Sequence, residues 1–269
     1  MSLWGRRHQR RAFPLQPPPS AQLLKEETHV LVWAETLDDG ERAIIKVYRH
    51  RKPKEYFREW LGRFRVEREL RTLEHLAEAG IPCSAPLFWD SGRSDEHGYY
   101  EILATREIPQ AENVGESLRA GRRSNTDFDL RALLKEIHLM HACGVYHGTL
   151  HLYNILATGA GPTLRYHIID VPRSIVYPRS ILGSRMAWFD LLRFARHVRS
   201  VMKIPVHEIP WEAYGIDASQ QERLMHDSRH YRHTKSQRRR LRAELLVRWW
   251  LATLGLRRPQ PKNSLQSHS

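Results

Sequence analysis

Four side chains in this sequence have the types that phosphate chemistry needs. Lys46 sits inside a β-branched run, Arg42-Ala-Ile-Ile-Lys46-Val-Tyr48, where an ammonium can meet phosphate oxygens. Glu69 follows on a helical stretch and can hold that lysine as an ion pair. Asn154 lies in the segment His147-Gly-Thr-Leu-His-Leu-Tyr-Asn154-Ile-Leu, and Asp170 ends the apolar run Tyr166-His-Ile-Ile-Asp170 about fifteen residues further on. An amide oxygen and a carboxylate are hard ligands of the kind Mg²⁺ accepts, usually with only one or two protein carboxylates and with water or phosphate oxygens completing its shell.

In register, His147, Leu150 and Asn154 match the kinase catalytic loop H-R-D-L-x-x-x-N, in which Asp takes the proton of the attacking hydroxyl and Asn holds a metal ion. Thr149 stands where that aspartate belongs. A neutral hydroxyl can hold an acceptor but takes no proton usefully at neutral pH. His151, two residues on, is a candidate substitute base, although its ordinary role is structural. The upstream strand resembles the V-A-I-K strand whose lysine grips nucleotide phosphates. Separately, any one of these strings is weak, but four in the correct order point to a kinase-like fold.

The elements around these residues can be read from period and punctuation. Asp38-Asp39-Gly40 between two β-branched runs, Thr28–Leu37 and Arg42–Tyr48, predicts a hairpin. Helical spacing of Phe64, Leu70, Leu73, Leu76 and Ala77, stopped by Gly80, predicts a helix that carries Glu69. Gly98 to Pro109 alternates like a half-buried strand and breaks at the proline, as a strand entering an interlobe hinge would. Thr105, Glu107 and Ile108 would then border an adenine ring. Phe128 to Gly144 predicts the amphipathic helix that delivers the loop, with His138 and His141 as packing or capping groups. No G-x-G-x-x-G precedes the lysine strand, so a glycine-rich phosphate cover is missing or replaced by the Glu27-Thr28-His29 corner.

These motifs together resemble the lipopolysaccharide core kinases of the Kdo/WaaP group, bacterial relatives of protein kinases. Members show an HGDLHxxNIL loop, an IDxxR strand end and an E-x-x-x-L…GI-x-x-P segment. This chain has HGTLHLYNIL, IIDVPRS and Glu69-Leu-Arg-Thr-Leu…Gly80-Ile81-Pro82-Cys-Ser-Ala-Pro86, with the likeness running from about Leu23 to about Val201. The resemblance implies an α+β bilobal kinase-like fold, Mg-ATP as donor and an inner-core sugar of lipopolysaccharide as acceptor. It also implies a place at the cytoplasmic face of a Gram-negative inner membrane. Asp190 resembles the family's acidic residue in a later helix, Trp188 to Val198, where it would cap the helix or brace the loop. Thr149 departs at the most diagnostic position. Two function classes stand: a slow or unconventional sugar kinase, and a pseudokinase that binds or regulates in the same assembly. A generic protein kinase is the weaker third, because no A-P-E segment follows Asp170.

Composition sets outer bounds. The chain has 269 residues, 41% of them hydrophobic, enough for one two-lobed unit. Expected segments are a basic, proline-rich mobile arm over 1–22, a small lobe over 23–109, a large lobe over 110–256 and a disordered tail over 257–269. No apolar run reaches membrane-spanning length, the first residues lack a signal-peptide core, and Cys83 and Cys143 form no CxxC pair, so reduced thiols in a cytoplasmic protein are expected. A formal charge of +13 favours phosphate-rich partners: anionic lipid headgroups, a phosphorylated glycolipid core, or nucleic acid. Nucleic acid is the weakest, since Gln237–Arg240 lacks interleaved aromatic platforms. A helix over 236–254, with Leu241, Leu245 and Trp249 on one side, either closes the large lobe or lies on the inner leaflet. His226, His230 and His233 have metal-like spacing in a field too positive for a cation.

Overall fold

The computed structural model describes residues 14–50, 65–94 and 98–230, with only the backbone for 50, 229 and 230. Nearly all of them fall in one compact unit, Met1–Ser228. The helix expected over 236–254, the tail over 257–269, His233 and the first 13 residues of the arm lie outside the described residues.

The chain begins with an antiparallel sheet. Strands β1 (Gln22–Glu27), β2 (Val30–Thr36), β3 (Arg42–His50), β4 (Pro86–Ser94) and β5 (Gly98–Arg106) are ordered β1-β2-β3-β5-β4. The β2–β3 hairpin turns where Asp38-Asp39-Gly40 predicts it. Gly40 adopts a φ of 82°, a left-handed value that glycine reaches without steric cost. One sheet face carries Leu31, Trp33, Ala43, Ile45, Val47, Ile102 and Ala104, all buried together. Leu15 and Ala21 pack on this cluster, and Arg49 donates to the Leu15 carbonyl at 2.8 Å. Residues 14–21 of the expected mobile arm thus lie against the sheet, because one leucine and one alanine suffice to extend an existing apolar face.

Helix α1 (Arg65–Glu78) lies between β3 and β4 in sequence and buries Val66, Leu70, Leu73 and Leu76. Its first turn is satisfied from a distance: the buried Val66 N–H donates to Glu101 on β5 at 2.8 Å, so a carboxylate meets the positive end of the helix. Gly80, at φ 73°, ends it. The Ile81 N–H then reaches back to the Leu76 carbonyl at 2.9 Å, closing a Schellman-type turn.

Past the sheet the chain is mainly helical. Strand β6 (Glu112–Asn113) leads into α2 (Val114–Arg119), and α3 (Leu130–Ala142) follows, capped by Asp129, whose carboxylate accepts from Arg131 and Ala132 N–H. Short strands β7 (Val145–Tyr146), β8 (Ile155–Thr158), β9 (Arg165–Ile168) and β10 (Ile175–Val176) then frame the loop and the Asp170 segment. β8 and β9 form a hairpin while β7 pairs with β10, which sets residues 147–154 beside residues 169–174. Two further helices complete the described chain, α4 (Arg185–Val201) and α5 (Ala218–His230). A small sheet-rich part followed by a larger helical part is the α+β arrangement that the motifs imply. Among the described residues, no helix is long and apolar enough to cross a membrane.

Candidate active site

Lys46 points from the middle of β3 to the face opposite the Trp33 cluster. Its Nζ lies 2.8 Å from Glu69 Oε1 on α1 and 2.7 Å from Asp170 Oδ1 beyond β9. Three separate elements therefore converge on one ammonium. Glu69 is 2% exposed and also accepts from the Tyr48 hydroxyl at 3.2 Å. Burial opposes charge on Lys46, but Glu69 and Asp170 together outweigh it and hold its pKa well above the ordinary value. For Glu69, burial wins and raises the carboxyl, with Lys46 pulling back. Burial also pushes Asp170 up, yet Lys46 brings it below the usual carboxylate range. A lysine that stays charged here is what binding of polyphosphate requires.

Asp170 adopts a φ of 56°, a left-handed conformation uncommon outside glycine and worth about 1–2 kcal/mol of strain. It sits where β9 has ended, and the Ile169 N–H bonds the Asn154 carbonyl at 3.1 Å. This ties the Asp170 segment to the loop. Behind it, the buried Thr72 and Ser174 hydroxyls meet at 2.6 Å, so α1 is fastened to the same segment.

The loop 147–154 is held by its backbone. Buried Asp190 on α4 accepts the His147 N–H at 2.7 Å and the Gly148 N–H at 3.0 Å, and its Oδ2 lies 3.4 Å from His141 Nε2. Ser184, not Asp190, caps α4, because its side chain accepts from the Ala187 N–H. Of the two roles the sequence leaves open for Asp190, the brace is the one observed. Gly148 has a φ of 77°, and a Cβ there would meet the Arg173 carbonyl at 2.7 Å, so the loop packs close to the segment after Asp170. His138 and His141 bond the Tyr214 carbonyl and hydroxyl at 2.6 and 2.7 Å, as packing groups.

Thr149 is half-buried, with its N–H and Oγ1 each 3.3 Å from His147 Nδ1. Since Nδ1 accepts the backbone N–H, the neutral imidazole carries its proton on Nε2, and that atom is buried with no hydrogen-bond partner among the described residues. Burial lowers the His147 pKa, opposed by Asp190 and Asp170. Asn154 donates from Nδ2 to the Thr149 carbonyl at 2.9 Å. That contact identifies which end of the amide is nitrogen and leaves Oδ1 as the oxygen on offer. With one Asp170 oxygen on Lys46, the donors on offer are the Asn154 amide oxygen and the Asp170 carboxylate. Such a set fits Mg²⁺, which needs few protein ligands.

His151 does not have the character of a base. Its ring stacks on His197 with centroids 5.1 Å apart, and Tyr153 meets it edge-on at 6.1 Å. Burial first, then His197, His147 and Arg193, lower its pKa to about 4. A group that weakly basic abstracts protons poorly at neutral pH.

Thr105, the last but one residue of β5, sits opposite Ile44, while Glu107 and Ile108 lie just past the strand. The Glu107 N–H already bonds the Arg42 carbonyl at 2.9 Å, and the Ile108 carbonyl accepts from Ala111 at 3.2 Å. The Glu107 carboxylate pairs with Arg42. Those groups are engaged within the chain, so an adenine at this edge would have to use others.

Cys83 and Cys143 are free, half-buried thiols, and burial pushes Cys83 up to about 11. His226 pairs with Asp227 at 3.3 Å, and no group of three metal-type ligands occurs among the described residues.

A family model described as lipopolysaccharide kinase (Kdo/WaaP) family matches residues 21–214. Among curated proteins, none matches the chain. A solved structure, "WaaP in complex with acyl carrier protein", is similar over 87% of this chain and 86% of that one, at 17% identity and a TM-score of 0.49.

Proposed function

From its membership of the lipopolysaccharide kinase (Kdo/WaaP) family, to which the chain belongs, we propose that it binds Mg-ATP and phosphorylates an inner-core sugar of lipopolysaccharide, slowly because Thr149 replaces the base. The observation that carries this reading is the Lys46 ammonium held between Glu69 and Asp170 at 2.8 and 2.7 Å. That arrangement keeps a permanent cation beside a metal-type carboxylate.

Lys46 would meet the phosphates, and Asn154 and Asp170 would hold the metal. Bound Mg²⁺ supplies neutralisation of charge on the transferring group. In the reaction, an acceptor hydroxyl oxygen bonds the γ-phosphorus, the bond to the β-phosphate oxygen breaks, and ADP leaves. Thr149 can orient that hydroxyl but not retain its proton, which passes to solvent or to the phosphate product. Positioned bases contribute about 10²–10⁴-fold, so much of the catalysis survives through positioning and electrostatics. The acceptor would be presented at a membrane, and the +13 charge draws the chain to anionic headgroups at the cytoplasmic face of a Gram-negative inner membrane.

A second reading, a pseudokinase that binds or regulates, is favoured by two contacts. The Thr149 hydroxyl lies within reach of His147 Nδ1 and Asn154 Nδ2, at 3.3 and 3.4 Å, and so puts a neutral group in the base position. Single-turnover transfer of labelled γ-phosphate to core lipopolysaccharide separates the two. Wild type should transfer slowly and Thr149→Asp about 10²-fold or more faster, since a carboxylate there meets the Asn154 amide already in place. His151→Ala should match wild type. No transfer from wild type or Thr149→Asp, with ATP binding intact, would leave the binding module as the surviving account.

A further inference from the structure

The turn joining β1 and β2 is only Thr28-His29, without glycine. Two residues cannot present the row of backbone N–H groups with which a glycine-rich loop cradles phosphate. Some other donor has to cover the polyphosphate if the Mg-ATP reading holds.

Strand β1 contains an irregularity that supplies one. Gln22 and Leu23 pair with Ala34 and Trp33, but Lys25, Glu26 and Glu27 pair with Val32, Leu31 and Val30, so the register slips by one residue at Leu24. Without that slip Lys25 would sit opposite Leu31, whose side chain is buried in the Trp33 cluster. With it, Lys25 sits opposite Val32, and Val32 sits opposite Lys46. Residues paired across neighbouring strands share a face, and a one-residue slip reverses the face. A bulge on an edge strand commonly re-aims a side chain in this way.

We propose that Lys25, turned by the Leu24 bulge onto the face of Lys46, is a second phosphate-binding lysine that covers the nucleotide in place of glycine-loop amides. This rests on the Mg-ATP reading and extends it. Lys25 and Lys46 are two strand spacings apart on one face, about 10 Å, and their flexible stems can reach a polyphosphate chain lying under that face at two points along its length. Lys25 is near enough to act, after Lys46, on the Asp170 carboxyl against the burial that pushes it up. Its Nζ rests 3.0 Å from Glu27 Oε1, with the two side chains 54% and 60% exposed. A pair that open to water contributes little and yields readily to a phosphate.

The test is equilibrium binding of Mg-ATP, ADP and AMP to the full chain, to Lys25→Gln, to Lys25→Arg and to Glu27→Gln. Lys25→Gln should weaken ATP about tenfold, the scale of one charge-assisted hydrogen bond, and leave AMP unchanged. Lys25→Arg should restore ATP affinity, and Glu27→Gln should equal or exceed wild type. Wild-type ATP affinity in Lys25→Gln, or an equal loss for AMP, overturns the inference and leaves the kinase reading standing. Failure of wild type to bind ATP overturns both.

Discussion

Asp190→Ala lowers stability by about 3–5 kcal/mol, the largest loss expected from any single change outside the apolar core. Its carboxylate accepts two backbone N–H groups of the loop and lies beside the fully buried His141. Removing it strands the buried His147 donor and the half-buried Gly148 donor, at about 1–3 kcal/mol each, and leaves His141 short of a partner. For a unit of this size each kcal/mol is worth about 2–4 °C in melting temperature, so a drop of about 10 °C should appear in a thermal melt. Asp190→Asn should recover less than half of it, because an amide offers one acceptor and turns N–H groups toward donors. A loss under about 1 kcal/mol would mean that something other than Asp190 holds His147 and Gly148.

Lys46→Met should be the second largest, at about 2–4 kcal/mol, with a characteristic pH dependence. The substitution leaves Glu69, 2% exposed, without its cation, and an unpaired buried charge is costly. Asp170, 42% exposed, adds less because water screens it. Glu69 is already raised by burial, and loss of Lys46 raises it further. A raised folded pKa means that the penalty is absent below the unfolded value, about 4.3, and grows as pH rises through the folded one. Asp170 is depressed in wild type, so its contribution is present above the unfolded value and lost as pH falls. Both effects make the gap between wild type and variant widest near neutrality and narrow toward pH 4. Urea unfolding at several pH values measures it. A gap that stays constant across that range would show that Lys46 stabilises by packing alone.

The residues that converge on Lys46 were legible because each lies in a locally readable element. A lysine within a β-branched run, a glutamate on a periodic helix ended by glycine, and an aspartate at a strand end need no long-range information. Their convergence follows from the order of the motifs. What stayed hidden depends on pairing between distant segments. Strand β4 carries no alternation strong enough to announce itself, since Pro86–Ser94 includes Gly92 and charged Asp90 and Arg93. The slip at Leu24 is a property of two strands together, so Lys25 reads in the sequence as one more exposed lysine. Asp190 could be narrowed to cap or brace, and only the position of Ser184 six residues ahead of it decided between them. For Leu15, an extended sheet face was needed before a proline-rich segment had anything to pack on.

Helix α1 is fastened to the larger helical part at three successive heights. Arg68 reaches the Pro172 carbonyl at 3.5 Å, Thr72 meets Ser174 at 2.6 Å, and His75 bonds the Cys143 carbonyl at 2.8 Å. Positions 68, 72 and 75 recur on one side of the helix, so swinging it outward would sever all three together with the Lys46 pair. At about 1 kcal/mol for each bond, plus exposure of Leu70, Leu73 and Leu76, that motion has no shallow intermediate. Outward rotation of α1 would therefore break these contacts together rather than one at a time.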